Sequence, residues 1–253
     1  LIFSGLRVEG FERGVQLAAG AHDNRLVAIQ ASGGRNGFVL DGAERTRIEQ
    51  CVARGNSYAG FMITGATVDT VIEDSQALRN GSVIGAGFLA EFTADGLTVR
   101  RSTAIDNAGE GFDLRIADVL LDAVRASGNR VGVALWRGGV IRNGLVYDNQ
   151  LTGIALRELP GTQPEPAVIN CTVAGPHSEA GIDVMPGVSP LIINTISIGS
   201  IGPAVRLADG VLDPVIEHCI LGSAGATARA NLVVEGPAAA EIRLASHATN
   251  LLE

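Results

Sequence analysis

Short apolar segments recur along the chain about every 21 to 28 residues, and each begins with a glycine except the degenerate last one, Pro203-Ala204-Val205-Arg206-Leu207. Apolar residues stand at the first and third positions after that glycine, as in Gly37-Phe38-Val39-Leu40. Because successive side chains of a strand point to opposite faces, these positions are predicted to face one core. The predicted inward pairs are Val15/Leu17, Phe38/Leu40, Phe61/Ile63, Phe88/Ala90, Phe112/Leu114, Val133/Leu135, Ile154/Leu156, Ile182/Val184 and Val205/Leu207.

A second apolar segment lies between those strands, as at residues 48–53 and 72–77, and is predicted to form one further strand in each repeat. Short β-branched runs bounded by Gly, Asn, Asp and Ser are typical of strands and turns, and no window shows the period of a helix. An Asn at a tight turn can bond the backbone of adjacent repeats and tolerates the left-handed conformation. The recurring turn residues therefore predict a buried ladder of Asn56, Asn80, Asn107, Asn129 and Asn149.

Strands that repeat at one period without hairpin turns are expected to stack in parallel, each coil on the previous one. The prediction is an all-β protein, a single-stranded right-handed parallel β-helix (solenoid) of about ten coils, at residues 1–221. The pattern decays beyond them, and residues 222–253 are predicted to form the last coil and a C-terminal cap of the same domain. Insertions at residues 80–87, 158–166 and 175–181 are expected to bulge and to wall one face.

Composition narrows the function classes. The net charge is −8, with a pI near 5, which argues against nucleic acid as the main partner. No run of 18 apolar residues exists that could span a membrane. All 19 basic residues are Arg, which we interpret as the coding bias of a bacterial source. The chain starts at Leu1 in the middle of a repeat, so we expect a processed or truncated N-terminus whose export signal is missing.

Chemistry is concentrated at the second and fourth positions after the glycine, which are predicted to point outward. Carboxylates and guanidiniums from four consecutive coils surround the only Trp there, within about 15 Å by the spacing of stacked strands. An aromatic ring beside such groups suits a sugar with an acidic substituent. The cluster consists of Glu91, Asp113, Arg115, Trp136 and Arg157, and the same face continues with Asp183 and Arg206.

Two other interpretations of this face remain open. The charged residues can form solvated salt-bridge ladders that keep an exposed sheet soluble. Apolar residues at outward positions can contact a partner chain, which includes the case of a homo-oligomer. Those residues are Val39, Met62, Leu89 and Met185.

The repeat resembles the right-handed β-helix superfamily that includes pectate lyases, alginate lyases and mannuronan C5-epimerases. Its most specific likeness is Glu110-Gly111-Phe112-Asp113-Leu114-Arg115, which is similar to Tyr-Gly-Phe-Asp-Pro-His in mannuronan C5-epimerase modules. Gly, Phe and Asp match, whereas Glu110 stands for the Tyr and Arg115 for the His. That Tyr and His form the family's proton-transfer pair. The resemblance therefore implies a class of reaction, but it does not carry over the family's mechanism.

The resemblance implies a secreted or cell-surface protein that acts on an acidic uronate polysaccharide by β-elimination or C5-epimerisation. No cofactor is required, although a calcium ion would suit the space between two carboxylates on adjacent coils, Glu91 and Asp113. The alternative is a non-catalytic β-helix that serves as a polysaccharide-binding, adhesin or surface-structural module. The catalytic candidates are Asp113, Arg115 and Glu110, and the substrate-binding candidates are Glu91, Trp136, Arg157, Asp183 and Arg206.

Overall fold

A computed structural model describes residues 1–82, 85–91, 93–224 and 231–235, and the backbone of residues 243–244. All regular structure in these residues is β-strand, arranged in three parallel sheets that we name A, B and C. The chain passes through A, B and C once per coil, and each strand pairs with its equivalents one coil before and after. This arrangement confirms the predicted parallel solenoid of about ten coils.

The strands of each sheet follow in chain order. Sheet A holds Ile2–Ser4, Arg25–Val27, Arg47–Glu49, Val68–Glu73, Asp95–Arg100, Val119–Asp122, Val140–Arg142, Ala167–Ile169, Leu191–Ile193, Val215–Glu217 and Arg243–Leu244. Sheet B holds Arg7–Glu9, Gln30–Ser32, Val52–Arg54, Gln76–Leu78, Thr103–Ile105, Arg125–Ser127, Leu145–Tyr147, Thr172–Ala174, Ile196–Ser200 and Ile220–Ser223. Sheet C holds Arg13–Ala18, Asn36–Asp41, Ala59–Thr64, Phe88–Ala90, Glu110–Leu114, Val131–Leu135, Thr152–Leu156, Ala180–Val184, Val205–Leu207 and Leu232–Val234.

The second strand of the predicted repeat is two strands. Residues 48–53 divide between Arg47–Glu49 of sheet A and Val52–Arg54 of sheet B, so the prediction of one strand is wrong. The reason is the residue between them, Gln50, whose φ of 54° lies in the left-handed region and turns the chain. Equivalent residues of other coils share this conformation, among them Asp74, Arg101, Asn143 and Asn170.

The predicted Asn ladder is confirmed by its hydrogen bonds. Asn80 Nδ2 donates to Asn107 Oδ1 at 3.0 Å, and Asn107 Nδ2 donates to Asn129 Oδ1 at 2.9 Å. Each of these oxygens also accepts the backbone N–H of the preceding ladder Asn, at 3.0 Å in both cases. The ladder residues themselves are not left-handed, contrary to expectation. That conformation falls on the residue before each one, namely Gly55, Arg79, Asp106, Gly128 and Asp148.

The core is a column of side chains from sheet C, covered by those of sheets A and B. Four rings stack in register, with centroids 4.8, 4.7 and 4.7 Å apart, and they belong to Phe38, Phe61, Phe88 and Phe112. The predicted inward pairs are buried, except that Val15 in the first coil is half-buried. Sheet C is thereby held firmly in one register, which determines what its outer face presents.

His177 occupies the ladder position that follows Asn149. The sequence pattern placed this His in a loop insertion, but its side chain is fully buried. Its Nδ1 lies 2.9 Å from the carbonyl oxygen of Asn149, to which it must donate, and its Nε2 has no partner among the described residues. Burial lowers the pKa of His177. The imidazole is therefore an imperfect substitute for an amide in the ladder.

Replacing His177 by Asn is expected to remove an acid sensitivity of the fold. Because the folded-state pKa is lowered, the unfolded chain binds the proton more readily. The wild type should therefore lose up to about 1.4 kcal/mol of stability per pH unit as the pH falls below about 6.5. Urea unfolding between about pH 7.5 and 5 should show a shallower acid slope for His177→Asn. His218→Asn, at an exposed turn, serves as the control, and equal slopes for all three proteins would contradict the assignment.

Beyond residue 221 the described strands continue the sheets. Leu232–Val234 pairs with Val205–Leu207, and Arg243–Leu244 pairs with Val215–Glu217. The remainder of the predicted cap at residues 222–253 lies largely outside the described residues, so the cap stays a prediction. The described part of the chain contains no helix long and apolar enough to cross a membrane.

Candidate functional site

The outer face of sheet C carries two rows of side chains, because parallel pairing aligns equivalent positions of successive coils. The central row runs along the second positions: Leu89, Asp113, Ala134, Ala155, Asp183 and Arg206. The terminal row runs along the fourth positions: Glu91, Arg115, Trp136, Arg157 and Met185. The predicted cluster of charges from consecutive coils is therefore assembled as expected.

Asp113 is buried although it points away from the core, with only 3% of its surface exposed. Its Oδ1 accepts a hydrogen bond from Trp136 Nε1 at 2.7 Å. Its Oδ2 accepts two from Arg115, at 2.6 Å from Nη2 and 3.1 Å from Nε. Both oxygens are thus engaged, and Asp113 acts to orient the indole and the guanidinium.

The hydrogen bonds of Asp113 also decide the protonation state of Arg115. They raise the pKa of the guanidinium above its ordinary value. Arg115 therefore stays a cation, which suits it to bind a carboxylate and argues against a role as a proton-abstracting base.

Trp136 lies between two guanidiniums from the coils on either side. The Arg115 Cζ lies 5.6 Å from the ring centroid and the Arg157 Cζ lies 4.7 Å from it, both in cation–π geometry. The ring is half-buried and also packs against the cluster that contains Ala134 and Ala155. Trp136 is therefore better placed to hold the two Arg side chains apart than to stack on a sugar.

Arg157 has the weakest ionic pairing of the arginines in this cluster. The nearest carboxylate oxygen, Glu110 Oε1, lies 3.9 Å from its Nη1, and no described carboxylate lies within hydrogen-bond distance. A quarter of the Arg157 side chain is exposed. Its N–H groups are thus available to an anionic ligand.

A groove of about 550 Å³ opens beside Arg157. At its far end Asp183 binds Arg206 through two parallel hydrogen bonds, both 2.7 Å long, and this pairing raises the pKa of Arg206. The groove contains four of the predicted binding residues. Its lining is Trp136, Arg157, Glu158, Glu179, Asp183, Met185, Pro186 and Arg206.

Glu158 and Glu179 line this groove without having been predicted as site residues. They belong to the insertions at residues 158–166 and 175–181, which the sequence had marked as walls of a binding face. A Cβ at Gly187 would collide with the Glu158 carboxylate, so the glycine leaves room for it. A carboxylate inside an insertion beside the charged rows was the signal that could have identified them.

Glu91 and the predicted calcium site lie on the other side of Asp113. Glu91 Oε2 accepts a hydrogen bond from Thr64 Oγ1 of the preceding coil at 2.9 Å. A cation shared with Asp113 would have to displace the N–H donors that the aspartate already binds. The described residues contain no group of three or more His, Cys, Asp or Glu side chains that could hold a metal. Calcium binding stays a prediction.

The apolar surface that this face exposes is smaller than predicted. Val39 and Leu89, both expected to be exposed, are only 3% exposed. Leu89 packs on Ala86 and is flanked by Tyr58 and Met62. Met185 is exposed as predicted. A homo-oligomer through this surface stays a prediction.

A sequence-family model for the right-handed beta helix region matches residues 13–158, which is more than half of the chain. The chain belongs to the right-handed β-helix family. This match confirms the resemblance at the level of the superfamily, and no curated protein sequence matches the chain.

Solved structures similar to this right-handed β-helix include enzymes named for polysaccharides. The A-module of mannuronan C-5 epimerase AlgE6 from Azotobacter vinelandii has a TM-score of 0.69 at 17% identity, covering 92% of this chain and 89% of the module. Pectate lyase Pel9A has a TM-score of 0.63 at 14% identity, covering 88% and 69%. The Dettilon tailspike protein has a TM-score of 0.60 at 13% identity, covering 89% and 50%. At such identities the likeness shows the fold alone.

Proposed function

We propose that this β-helix protein binds an acidic, uronate-containing polysaccharide in the groove beside Arg157 and acts on it by β-elimination or C5-epimerisation. The observation that carries the proposal is Arg157 itself. Its Cζ lies 4.7 Å from the centroid of the Trp136 ring, and its side chain lines the groove. No described carboxylate lies within hydrogen-bond distance of its guanidinium. A planar guanidinium with available N–H groups can donate two parallel hydrogen bonds to a carboxylate. A polymeric substrate of this kind implies a secreted or cell-surface protein.

Both reactions begin in the same way. Neutralising the uronate carboxylate acidifies its C5 proton, which a base then removes. In β-elimination the electron pair forms a C4=C5 double bond, the C4–O4 bond breaks and the leaving oxygen takes the proton back from the protonated base. In epimerisation a proton from water adds to the opposite face of C5, and the base returns its own proton to solvent. We assign the carboxylate to Arg157, supported by Arg115. Glu110, the carboxylate nearest Arg157, is the base, and Asp113 is a positioning residue.

A second candidate is a non-catalytic polysaccharide-binding, adhesin or surface-structural module. The observation that favours it is the saturation of Asp113 by Trp136 and Arg115, together with the raised pKa of Arg115. Two of the three catalytic candidates are then occupied in holding the site together. Only Glu110 is left to transfer a proton.

Replacing Arg157 by Ala is expected to weaken the binding of polymannuronate and polygalacturonate about tenfold, because one charge-assisted bidentate contact is lost. Isothermal titration calorimetry at low salt measures this. Arg157→Lys keeps the positive charge but loses the planar guanidinium, so its affinity should lie between those of the wild type and Arg157→Ala. Arg125→Ala, an exposed arginine on sheet B, is the control and should bind like the wild type. Equal affinity of wild type and Arg157→Ala would contradict the assignment.

Turnover separates the two candidates. Unsaturated uronate is detected by ultraviolet absorbance, and exchange of the C5 proton in deuterated water is detected by NMR. Either signal, lost in Glu110→Gln with binding retained, supports the enzyme. Binding without either signal supports the non-catalytic module. A parallel assay after EDTA treatment tests the predicted calcium ion.

A further inference from the structure

The charges that line the groove are unevenly distributed. Asp183 and Arg206 neutralise each other through their two 2.7 Å hydrogen bonds. Arg157 then remains as a cation and Glu158 and Glu179 remain as anions. Neither of these glutamates forms an ion pair within the described part of the chain, and the whole protein has a net charge of −8. The groove therefore attracts an anion at one point only.

The two glutamates lie on the C-terminal side of Arg157 along the solenoid axis. The Glu158 carboxylate rests against Gly187, and Gly187 follows the sheet C strand of the next coil. Glu179 precedes that same strand, accepts a hydrogen bond from Thr152 at 3.2 Å, and contributes to the raised pKa of Arg206. Both carboxylates thus lie between the coil of Arg157 and the next coil, which is roughly 4.8 Å away: Glu158 reaches forward to Gly187, and Glu179 reaches back to Thr152.

One coil spacing is close to the length of one pyranose residue in an extended glycan. A sugar bound next to the one held by Arg157 would therefore face Glu158 and Glu179. Sugar hydroxyls donate hydrogen bonds to carboxylates, whereas a second uronate would be repelled by them. Met185, which is 40% exposed, and Pro186 offer an apolar surface to the C–H face of the same sugar.

We infer that the groove selects a polysaccharide in which a uronate is followed by an uncharged sugar, in preference to an uninterrupted polyuronate. The inference rests on the proposed function and specifies its ligand. Arg157 recognises the single carboxylate, and the two glutamates bind the hydroxyls of the neutral neighbour and reject a second charge there.

Partial carboxyl reduction of one polymer tests this without changing its backbone, because it converts uronate residues into neutral hexoses. Calorimetry at low salt compares polymannuronate and polygalacturonate, each in the intact, half-reduced and fully reduced form. The half-reduced polymers should bind wild type about fivefold more tightly than the intact polymers, and the fully reduced polymers should bind most weakly. An affinity that falls steadily with reduction would overturn the inference while leaving the proposed function in place.

Charge-neutral variants of the two glutamates locate the effect. Glu158→Gln combined with Glu179→Gln should raise the affinity for the intact polyuronate about fivefold and abolish the preference for the half-reduced one. Glu12→Gln in the first coil is the control, because it removes one negative charge away from the groove. It should leave the preference for the half-reduced polymer unchanged. A preference that survives the double substitution would also overturn the inference. If the fully reduced polymer binds as well as the others, or if none binds, the proposed function fails with it.

Discussion

Replacing Asn107 by Ala is expected to lower the free energy of unfolding by about 3 to 6 kcal/mol. The amide makes four buried hydrogen bonds, two as acceptor from Asn80 and one each as donor to Ala77 and Asn129. Truncation leaves the backbone N–H and the Nδ2 of Asn80 without that acceptor in an interior that water does not reach. Each orphaned group costs about 1 to 3 kcal/mol.

Urea unfolding followed by circular dichroism measures the loss, and hydrogen exchange locates it. Because each coil of a solenoid contacts only its neighbours, lost protection should be greatest in the coils that contain Asn80 and Asn129. Asn170→Gly is the control: this Asn lies at an exposed turn with a φ of 52°, which glycine tolerates. A cost below about 1 kcal/mol for Asn107→Ala would show that the ladder is not a main source of stability.

Replacing Asp113 by Ala is expected to cost about 2 to 4 kcal/mol and to disorganise the candidate site. The change leaves the Trp136 N–H without its acceptor and removes the carboxylate partner of Arg115. Arg115 is 35% exposed, so solvent offsets part of its loss. Without Asp113, no carboxylate holds the Arg115 guanidinium and the Trp136 indole in place beside Arg157. Polyuronate binding should therefore weaken, although Asp113 itself has little exposed surface that could touch a ligand.

Trp136 is the only tryptophan of the chain, so its fluorescence reports on this site alone. Asp113→Ala should shift the emission to longer wavelength as the indole becomes hydrated. Trp136→Phe removes the N–H and keeps an aromatic ring, and a double-mutant cycle with Asp113→Ala should give a coupling energy of about 1 to 3 kcal/mol. Unchanged stability and polyuronate binding in Asp113→Ala would contradict the positioning role.

The sequence was most informative where one residue type recurs at one position. The stacked Phe residues and the Asn ladder follow from periodicity, because parallel in-register coils place identical residues on top of one another. It failed at Gln50, where a residue with no special turn preference adopts the left-handed conformation and divides a predicted strand. It also failed at Leu89, whose outward position gave no indication that Tyr58 and Met62 flank it.

The same division applies to the candidate site. By itself the sequence determined the fold and the residues that share the outer face of sheet C, since the apolar period of two leaves only one register. Only the tertiary structure decided that Asp113 is saturated, that Trp136 is enclosed by guanidiniums, and that the groove extends from Trp136 to Arg206. Those features depend on side-chain directions and on contacts between coils, such as those of Asp113 with Trp136 and of Asp183 with Arg206, which no local pattern encodes.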